Sequence, residues 1–161
     1  MIYYCEVSSP LGSLLLAASD AGLRGIYFDE HRHFKGKGDW QRDPAHVILQ
    51  QAVQQLEEFF AGTRTAFDLP LDLQGTPFQQ AVWQQLLTIP YGATVSYAQH
   101  AQRVGRPTAA RAVGAAIGRN PVSIVVPCHR VVGSDGAHTG YAGGLERKRA
   151  LLSFESQRAV A

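Results

Sequence analysis

At 161 residues, with 45% hydrophobic and 17% charged side chains and a net charge of +2, the chain has the composition of an ordinary globular protein with one good core or two small ones. No apolar run approaches the ~18 residues that span a bilayer. The opening MIYYCEVSSPLG has no basic segment followed by a long apolar run, so neither a membrane span nor a secretory signal is expected. The charge is unevenly placed: residues 1–74 hold six Lys and Arg against ten Asp and Glu, whereas residues 75–161 hold nine against three. A basic second half is expected to face a polyanion, with a chance imbalance of solvated surface as the plainer alternative.

Three strands are predicted first, MIYYCEVSS, SLLLAAS and LRGIYF, separated by the turns PLG and DAG. The stretch DEHRHFKGKGDWQRDP follows as a polar loop. His31 and His33 flank Arg32 in it and, lacking further ligands, read as surface residues rather than a metal site. Val47, Leu49, Ala52, Val53, Leu56, Phe59 and Phe60 recur at helical spacing until Gly62 ends the helix, and TAFDLPLDL is a candidate further strand. Residues 1–74 therefore read as an α/β scaffold domain that carries no chemistry of its own.

Residues 75–161 read as a second, mostly helical domain. Thr76 caps a helix that has Pro77 at its first position, with Phe78, Val82 and Leu86 on one face and Ala81 and Trp83 on neighbouring ones. Ser96, with Gln99 three residues later, opens another helix as a capping box; its apolar positions are Ala98, Ala101 and Val104, and Gly105 stops it. The turn GRP leads into TAARAVGAAIG, residues 108–118, which completes a helix-turn-helix in the basic half. Its second helix is unusual for a sequence reader, because such helices project long polar side chains onto base edges. This one offers Ala109, Ala110, Ala112, Gly114, Ala115 and Ala116, with Arg111 as its single long side chain. A helix so smooth suits a groove, with Arg111 filling a gap in a base stack; close helix packing with a surface arginine fits the composition equally well.

Cys128 lies in SIVVPCHRVVG, where a lone cysteine is ordinarily a core residue. Its neighbours His129 and Arg130 point instead to a nucleophile, because an imidazole or a positive charge favours the thiolate. In an extended strand adjacent side chains face opposite ways, so His129 needs a bend or a bridging water to act on Cys128. A base also needs an orienting partner. Asp135 and Glu146 lie in polar, loop-like contexts, whereas Glu155 sits among Leu151, Leu152 and Phe154 on a helix expected to pack inward. Cys128, His129 and Glu155 would then form a relay of the triad type. No CxxC or HxxxH spacing occurs, so no metal is expected. Cys5 and Cys128 could pair in principle, but reduced thiols in a cytoplasmic protein are the expectation. GYAGG, residues 140–144, puts Tyr141 in a glycine-flanked loop that allows close approach of a flat ligand.

PCHRVVG (127–133), GRNP (118–121), TAARAVGAAIG (108–118), TPFQQAVWQQLLTIPYG (76–92) and GYAGGLERKRALL (140–152) together resemble the O6-alkylguanine-DNA alkyltransferases, also called methylated-DNA–protein-cysteine methyltransferases. The resemblance covers essentially all of residues 76–155; the first half shares only length, strand–helix order and the SPLG turn. It implies a small N-terminal α/β domain followed by a winged-helix-like domain containing the helix-turn-helix. It also implies irreversible, single-turnover transfer of an alkyl group from O6 of guanine, less readily O4 of thymine, to Cys128, without a cofactor. By the same resemblance His129 deprotonates Cys128 through a water, Glu155 orients His129, and Asn120 is the hinge between the helix-turn-helix and the active turn. Tyr97 helps to turn the nucleotide, Tyr141 walls the pocket, and backbone groups of Cys128, Val131 and Ala142 read the guanine edge. Arg111 enters the base stack from a helix lying in the minor groove, with Ala109 and Ala110 beside it, and Ser134 lies near the DNA backbone. The implied partner is double-stranded DNA with alkylated bases, bound with little sequence specificity by a monomer, with cooperative loading on DNA as an alternative and no membrane involved.

Two departures stand out. Some relatives have serine where this chain has Ala142, and the zinc-ligand pattern of others is not reproduced around Cys5. A binding-only group lacks the cysteine, so Cys128 argues against that class. The competing reading is a helix-turn-helix regulator whose Cys128 senses oxidation or alkylation. A cysteine hydrolase is more distant, since no oxyanion loop is visible.

Overall fold

A tight turn at Gly12, whose φ of 108° suits a glycine, folds β1 (Tyr3–Ser9) back on β2 (Gly12–Ala18). β3 (Leu23–Phe28) pairs antiparallel with β2, and β4 (Gln41–Arg42) pairs parallel with β1, giving the strand order β3-β2-β1-β4. The computed structural model describes residues 1–29, 31, 34, 36–136 and 140–159, in two units, Met1–Gln74 and Gly75–Ala161. In the first unit the register sets Cys5 opposite Leu16, Leu16 opposite Ile26 and Leu14 opposite Phe28, so these buried side chains share one sheet face. The helix α1 (Val47–Phe60) packs on the sheet with Ile48, Leu49, Ala52, Leu56 and Phe59 buried.

The first unit corrects several expectations. Val47 is exposed, because the buried stripe of α1 begins one residue later at Ile48, and His46 occupies the N-cap with its ring accepting from the Ile48 N–H. TAFDLPLDL forms only a single parallel bridge, Leu71 to Leu23; Pro70 has no N–H to donate to a ladder. β4 lies inside the stretch read as a loop and is too short and polar to leave a pattern. His31 closes the turn after β3 by accepting from the Phe28 N–H at 3.2 Å, while Arg32 and His33 fall outside the described residues.

In the second unit, α2 (Pro77–Leu86) begins with the expected Thr76–Gln79 capping box and buries Val82, Trp83 and Leu86; Phe78 is half-buried and Ala81 exposed. After β5 (Val95–Ser96), α3 (Tyr97–Val104) opens with the Ser96–Gln99 box and ends at Gly105 in the left-handed region. His100 and Ala101 are its buried residues, and Ala98, expected on the apolar face, is exposed. α4 (Ala110–Gly118) starts two residues later than expected, with no side chain capping it. It buries Val113, Ala116 and Ile117 and leaves Arg111, Ala112 and Ala115 exposed. The Trp83 indole donates to the Ala116 carbonyl at 2.8 Å and so fastens α2 to α4. A 3₁₀ turn at Cys128–Arg130 leads to β6 (Val131–Val132), which pairs parallel with β5, and α5 (Leu145–Ala159) completes the unit. The fold is therefore mixed α/β: a sheet unit, then a mostly helical one with the helix-turn-helix α3–α4. Among the described residues no helix is long and apolar enough to cross a membrane.

Candidate active site

The chain from Val122 to Val132 is buried without a break, so the site is built from the inside of the second unit. Its turn is held by Asn120, just past the end of α4. The Asn120 amide donates to the Val126 carbonyl at 2.8 Å, and its oxygen accepts from the Val122 N–H at 3.0 Å. Within this loop Ile124 has a φ of 74°, a costly conformation for a buried β-branched residue, worth about 1–3 kcal/mol, which the Asn120 clasp holds in place. The Cys128 N–H donates back to the Val126 carbonyl at 2.8 Å.

Cys128 and His129 lie on a 3₁₀ turn and not on a strand, so the opposite-face problem anticipated for a strand does not arise. His129 is fully buried, and its Nε2 lies 2.7 Å from Glu155 Oε2. Because a carboxylate only accepts, Nε2 carries the hydrogen and Nδ1 keeps its lone pair. That Nδ1 is buried with no hydrogen-bond partner among the described residues. Burial lowers the His129 pKa, Glu155 opposing, so the ring is a neutral base at pH 7.

Arg130 grips the same carboxylate, Nε to Oε1 at 2.8 Å and Nη2 to Oε2 at 2.9 Å, and its Nη1 donates to the Ile89 carbonyl at 2.7 Å. Burial works against the Glu155 charge, but the hydrogen bonds and charges of His129 and Arg130 outweigh it and bring the carboxyl down to about 2. Glu155 is thus a fixed anion shared between an imidazole and a guanidinium. Glu146, read as loop-like, is exposed in the first turn of α5, and Asp135 is exposed as well, so neither competes for His129.

Cys128 is 6% exposed, and burial pushes its thiol up to about 11, even though Asn120 and the charge of Lys148 pull the other way. At neutral pH it rests as a thiol, and a proton must leave for it to react. Lys148 is fully buried, and its Nζ donates to the Val131 carbonyl at 2.7 Å and to the Gly140 carbonyl at 3.2 Å. The same ammonium lies 5.8 Å from the centre of the Tyr97 ring, whose other contact is Gly114 of α4. The Tyr141 hydroxyl is buried, and burial together with the Cys128 charge keeps it protonated.

Cys128, His129, Glu155, Asn120, Tyr97, Val131 and Tyr141 are thus linked through one buried region, with Ala142 half-buried beside Tyr141. Arg111 is exposed on α4, Ala109 and Ala110 are half-buried at its start, and Ser134 is exposed after β6; none of these four touches the thiol turn. Arg130 as the partner of Glu155, and Lys148, were missed from sequence. The signal for Lys148 is its spacing: Lys148, Leu151 and Glu155 fall on one buried face of α5 at i, i+3 and i+7. Cys5 and Cys128 are both free thiols, and no cluster of metal-ligating side chains occurs among the described residues.

Residues 2–73 match the family model of the 6-O-methylguanine DNA methyltransferase ribonuclease-like domain, and residues 77–157 that of the DNA binding domain of the same proteins. The methylated-DNA–protein-cysteine methyltransferase of Mycobacterium bovis is 50% identical over all of this chain and 96% of its own length. That of Methanosarcina barkeri is 44% identical over 96% of this chain and 97% of its own. The crystal structure of Mycobacterium tuberculosis OGT in complex with DNA superimposes with a TM-score of 0.91 at 49% identity, covering 97% of this chain and 94% of that one. These likenesses favour the transferase over the regulator. By sequence, fold and site, the chain belongs to the methylated-DNA–protein-cysteine (6-O-methylguanine DNA) methyltransferase family.

Proposed function

We propose that this protein repairs DNA by taking the alkyl group of O6-alkylguanine, and less readily of O4-alkylthymine, onto Cys128 in a single irreversible turnover. The observation that carries the reading is the relay itself: a buried thiol beside a neutral imidazole whose Nδ1 is unpartnered and whose Nε2 is fixed by a buried carboxylate. In the reaction the Cys128 proton passes through a water to His129 Nδ1. The sulfur attacks the alkyl carbon in line, the carbon–O6 bond breaks, and its electron pair leaves with guanine, which takes up a proton as His129 returns to neutral. The product is a thioether with no water-activated route back, so each molecule acts once.

Because Cys128 is buried, the damaged nucleotide must leave the duplex to meet it, at a cost of a few kcal/mol of stacking. The exposed face of α4, with only Arg111 projecting among Ala112 and Ala115, suits the minor groove, and Arg111 would fill the gap left by the flipped base. Damage arises at any sequence, so a helix without base-reading side chains is an advantage. Asn120 ties that helix to the thiol turn, and Tyr97 helps to rotate the nucleotide. Tyr141 walls the pocket, the backbones of Val131 and Ala142 read the guanine edge, and Ser134, with Ala109 and Ala110, contacts DNA. The protein acts as a monomer in the cytoplasm, where its thiols stay reduced.

The test is intact-protein mass after incubation with duplex containing O6-methylguanine, followed by peptide mapping. One added methyl on the Cys128 peptide, never a second, and none in Cys128→Ser with DNA binding retained, is expected. A folded, DNA-bound protein that gains no mass would overturn the proposal.

A further inference from the structure

A fully buried lysine is rare, because an ammonium in the interior loses its hydration and needs compensating contacts. Lys148 has two, the Val131 carbonyl at 2.7 Å and the Gly140 carbonyl at 3.2 Å, which belong to different segments of the second unit. Val131 follows the 3₁₀ turn that carries Cys128, and Gly140 precedes Tyr141. The lysine therefore bridges the thiol turn to the segment carrying the pocket tyrosine. Its partner side chains are the Cys128 thiol, on which its charge acts, and the Tyr97 ring 5.8 Å away. Nothing in this arrangement includes a carboxylate for the ammonium: Glu155, two turns along the same helix face, is fully engaged by His129 and Arg130. A buried cation without a counter-anion is an unfinished ion pair, and Cys128 is the group that can become an anion beside it.

We propose that Lys148 is a charged positioning residue of the transfer site: its ammonium joins the Val131 and Gly140 walls of the base pocket and stands as the waiting counter-charge for the Cys128 thiolate. The inference rests on the alkyl-transfer reading above. Burial lowers the amine to about 8, partly offset by Cys128, so it is still protonated at neutral pH when the thiol proton leaves for His129. Thiol plus ammonium then becomes thiolate plus ammonium, a pair whose net charge in the interior is zero. Methyl transfer consumes the thiolate and leaves the ammonium as it was. The cation is thus used where charge develops, which is the geometry that lowers a barrier most effectively. The hydrogen bond to Val131 has a second effect, since it fixes the carbonyl assigned to reading the guanine edge.

Three variants separate these roles. Lys148→Met removes donor and charge, Lys148→Gln keeps an N–H donor without the charge, and Lys148→Arg keeps both. Each is compared with wild type at pH 7 by single-turnover methyl transfer, by affinity for unmodified duplex, and by the rate at which iodoacetamide modifies the Cys128 peptide. Lys148→Met and Lys148→Gln are expected to transfer about 100-fold more slowly, Lys148→Arg to recover much of the rate, and duplex affinity to stay within about threefold. The iodoacetamide rate gives the sign that a merely structural lysine would not. Loss of the counter-charge makes the thiolate harder to form and slows modification, whereas a loosened fold exposes the thiol and speeds it. Faster modification in Lys148→Gln, or transfer equal to wild type, would overturn the inference. Should Lys148→Met fail to fold, the Gln and Arg variants decide alone. A wild-type protein that takes no methyl at all would instead sink the functional reading on which this one stands.

Discussion

Glu155 carries more than one duty. Four N–H groups converge on it, from His129, twice from Arg130, and from Gly92 at 3.4 Å. Glu155→Gln keeps the shape but removes the charge, which turns a donor toward Arg130 and leaves a buried guanidinium without its anion. The expected cost is about 3–5 kcal/mol of stability, read as a fall in denaturation midpoint. Transfer should slow by about 100-fold or more, since a triad whose orienting carboxylate becomes an amide holds its imidazole in the wrong tautomer. Unchanged transfer kinetics would remove Glu155 from the relay. His129 makes a separate prediction. The base must be neutral to act, and burial holds its pKa below the ordinary 6.5. The single-turnover rate should therefore stay level on acidification through 6.5 and fall only below it. A half-maximal rate above 6.5 would mean that another group sets the profile.

At the scale of elements, α4 has two faces with different tasks. Val113, Ala116 and Ile117 are buried, and the Trp83 bond to the Ala116 carbonyl fixes its far end, so the helix is anchored on one side. The opposite side carries Arg111, Ala112 and Ala115 into solvent. Arg111→Ala should leave stability within about 0.5 kcal/mol, as surface changes do. It should slow repair of duplex far more than reaction with the free modified base, because only the duplex has a stack to refill. Equal losses on both substrates would rule out the finger. The element connecting this helix to the chemistry is the Asn120 turn, whose strained Ile124 shows that the thiol's position is imposed by the surrounding fold and is not a local preference of the sequence.

For the whole molecule, the buried ionisable groups predict how stability depends on pH. His129 and His100 both have pKa values lowered by burial from 6.5, so below that value the unfolded chain binds protons that the folded chain refuses. Stability is then lost as pH falls below 6.5. Glu155 adds to the same trend further down: its folded value of about 2 lies below the ordinary 4.5, so its contribution is full above 4.5 and disappears as pH falls toward 2. Lys148 acts at the other end. Its folded value of about 8 lies below 10.5, so stability should rise as pH increases from 8 toward 10.5 and the buried charge is relieved. Urea midpoints measured across these ranges check both signs, and a midpoint that rises on acidification from neutral pH would contradict the assignment of buried neutral histidines.

The sequence by itself determined what is local. Capping boxes at Thr76 and Ser96, the stop at Gly105, the hairpin alternation of β1 and β2 and the apolar period of α1 are short-range patterns, so the elements and the helix-turn-helix were legible. The motif around Cys128 was legible as chemistry for the same reason: the nucleophile and the base are neighbours in the chain. Only the tertiary structure decided what depends on distant partners. Whether Cys128 and His129 lie on a strand or a turn is set by the Asn120 clasp. The partner of Arg130 lies 25 residues away on α5, and the burial of Lys148 follows from the two carbonyls that receive it. β4 was invisible because two polar residues pair only when β1 presents its edge to them. Charge in the interior is a property of the packed whole, since an ion is tolerated there only when segments far apart in the chain bring it hydrogen bonds and counter-charge.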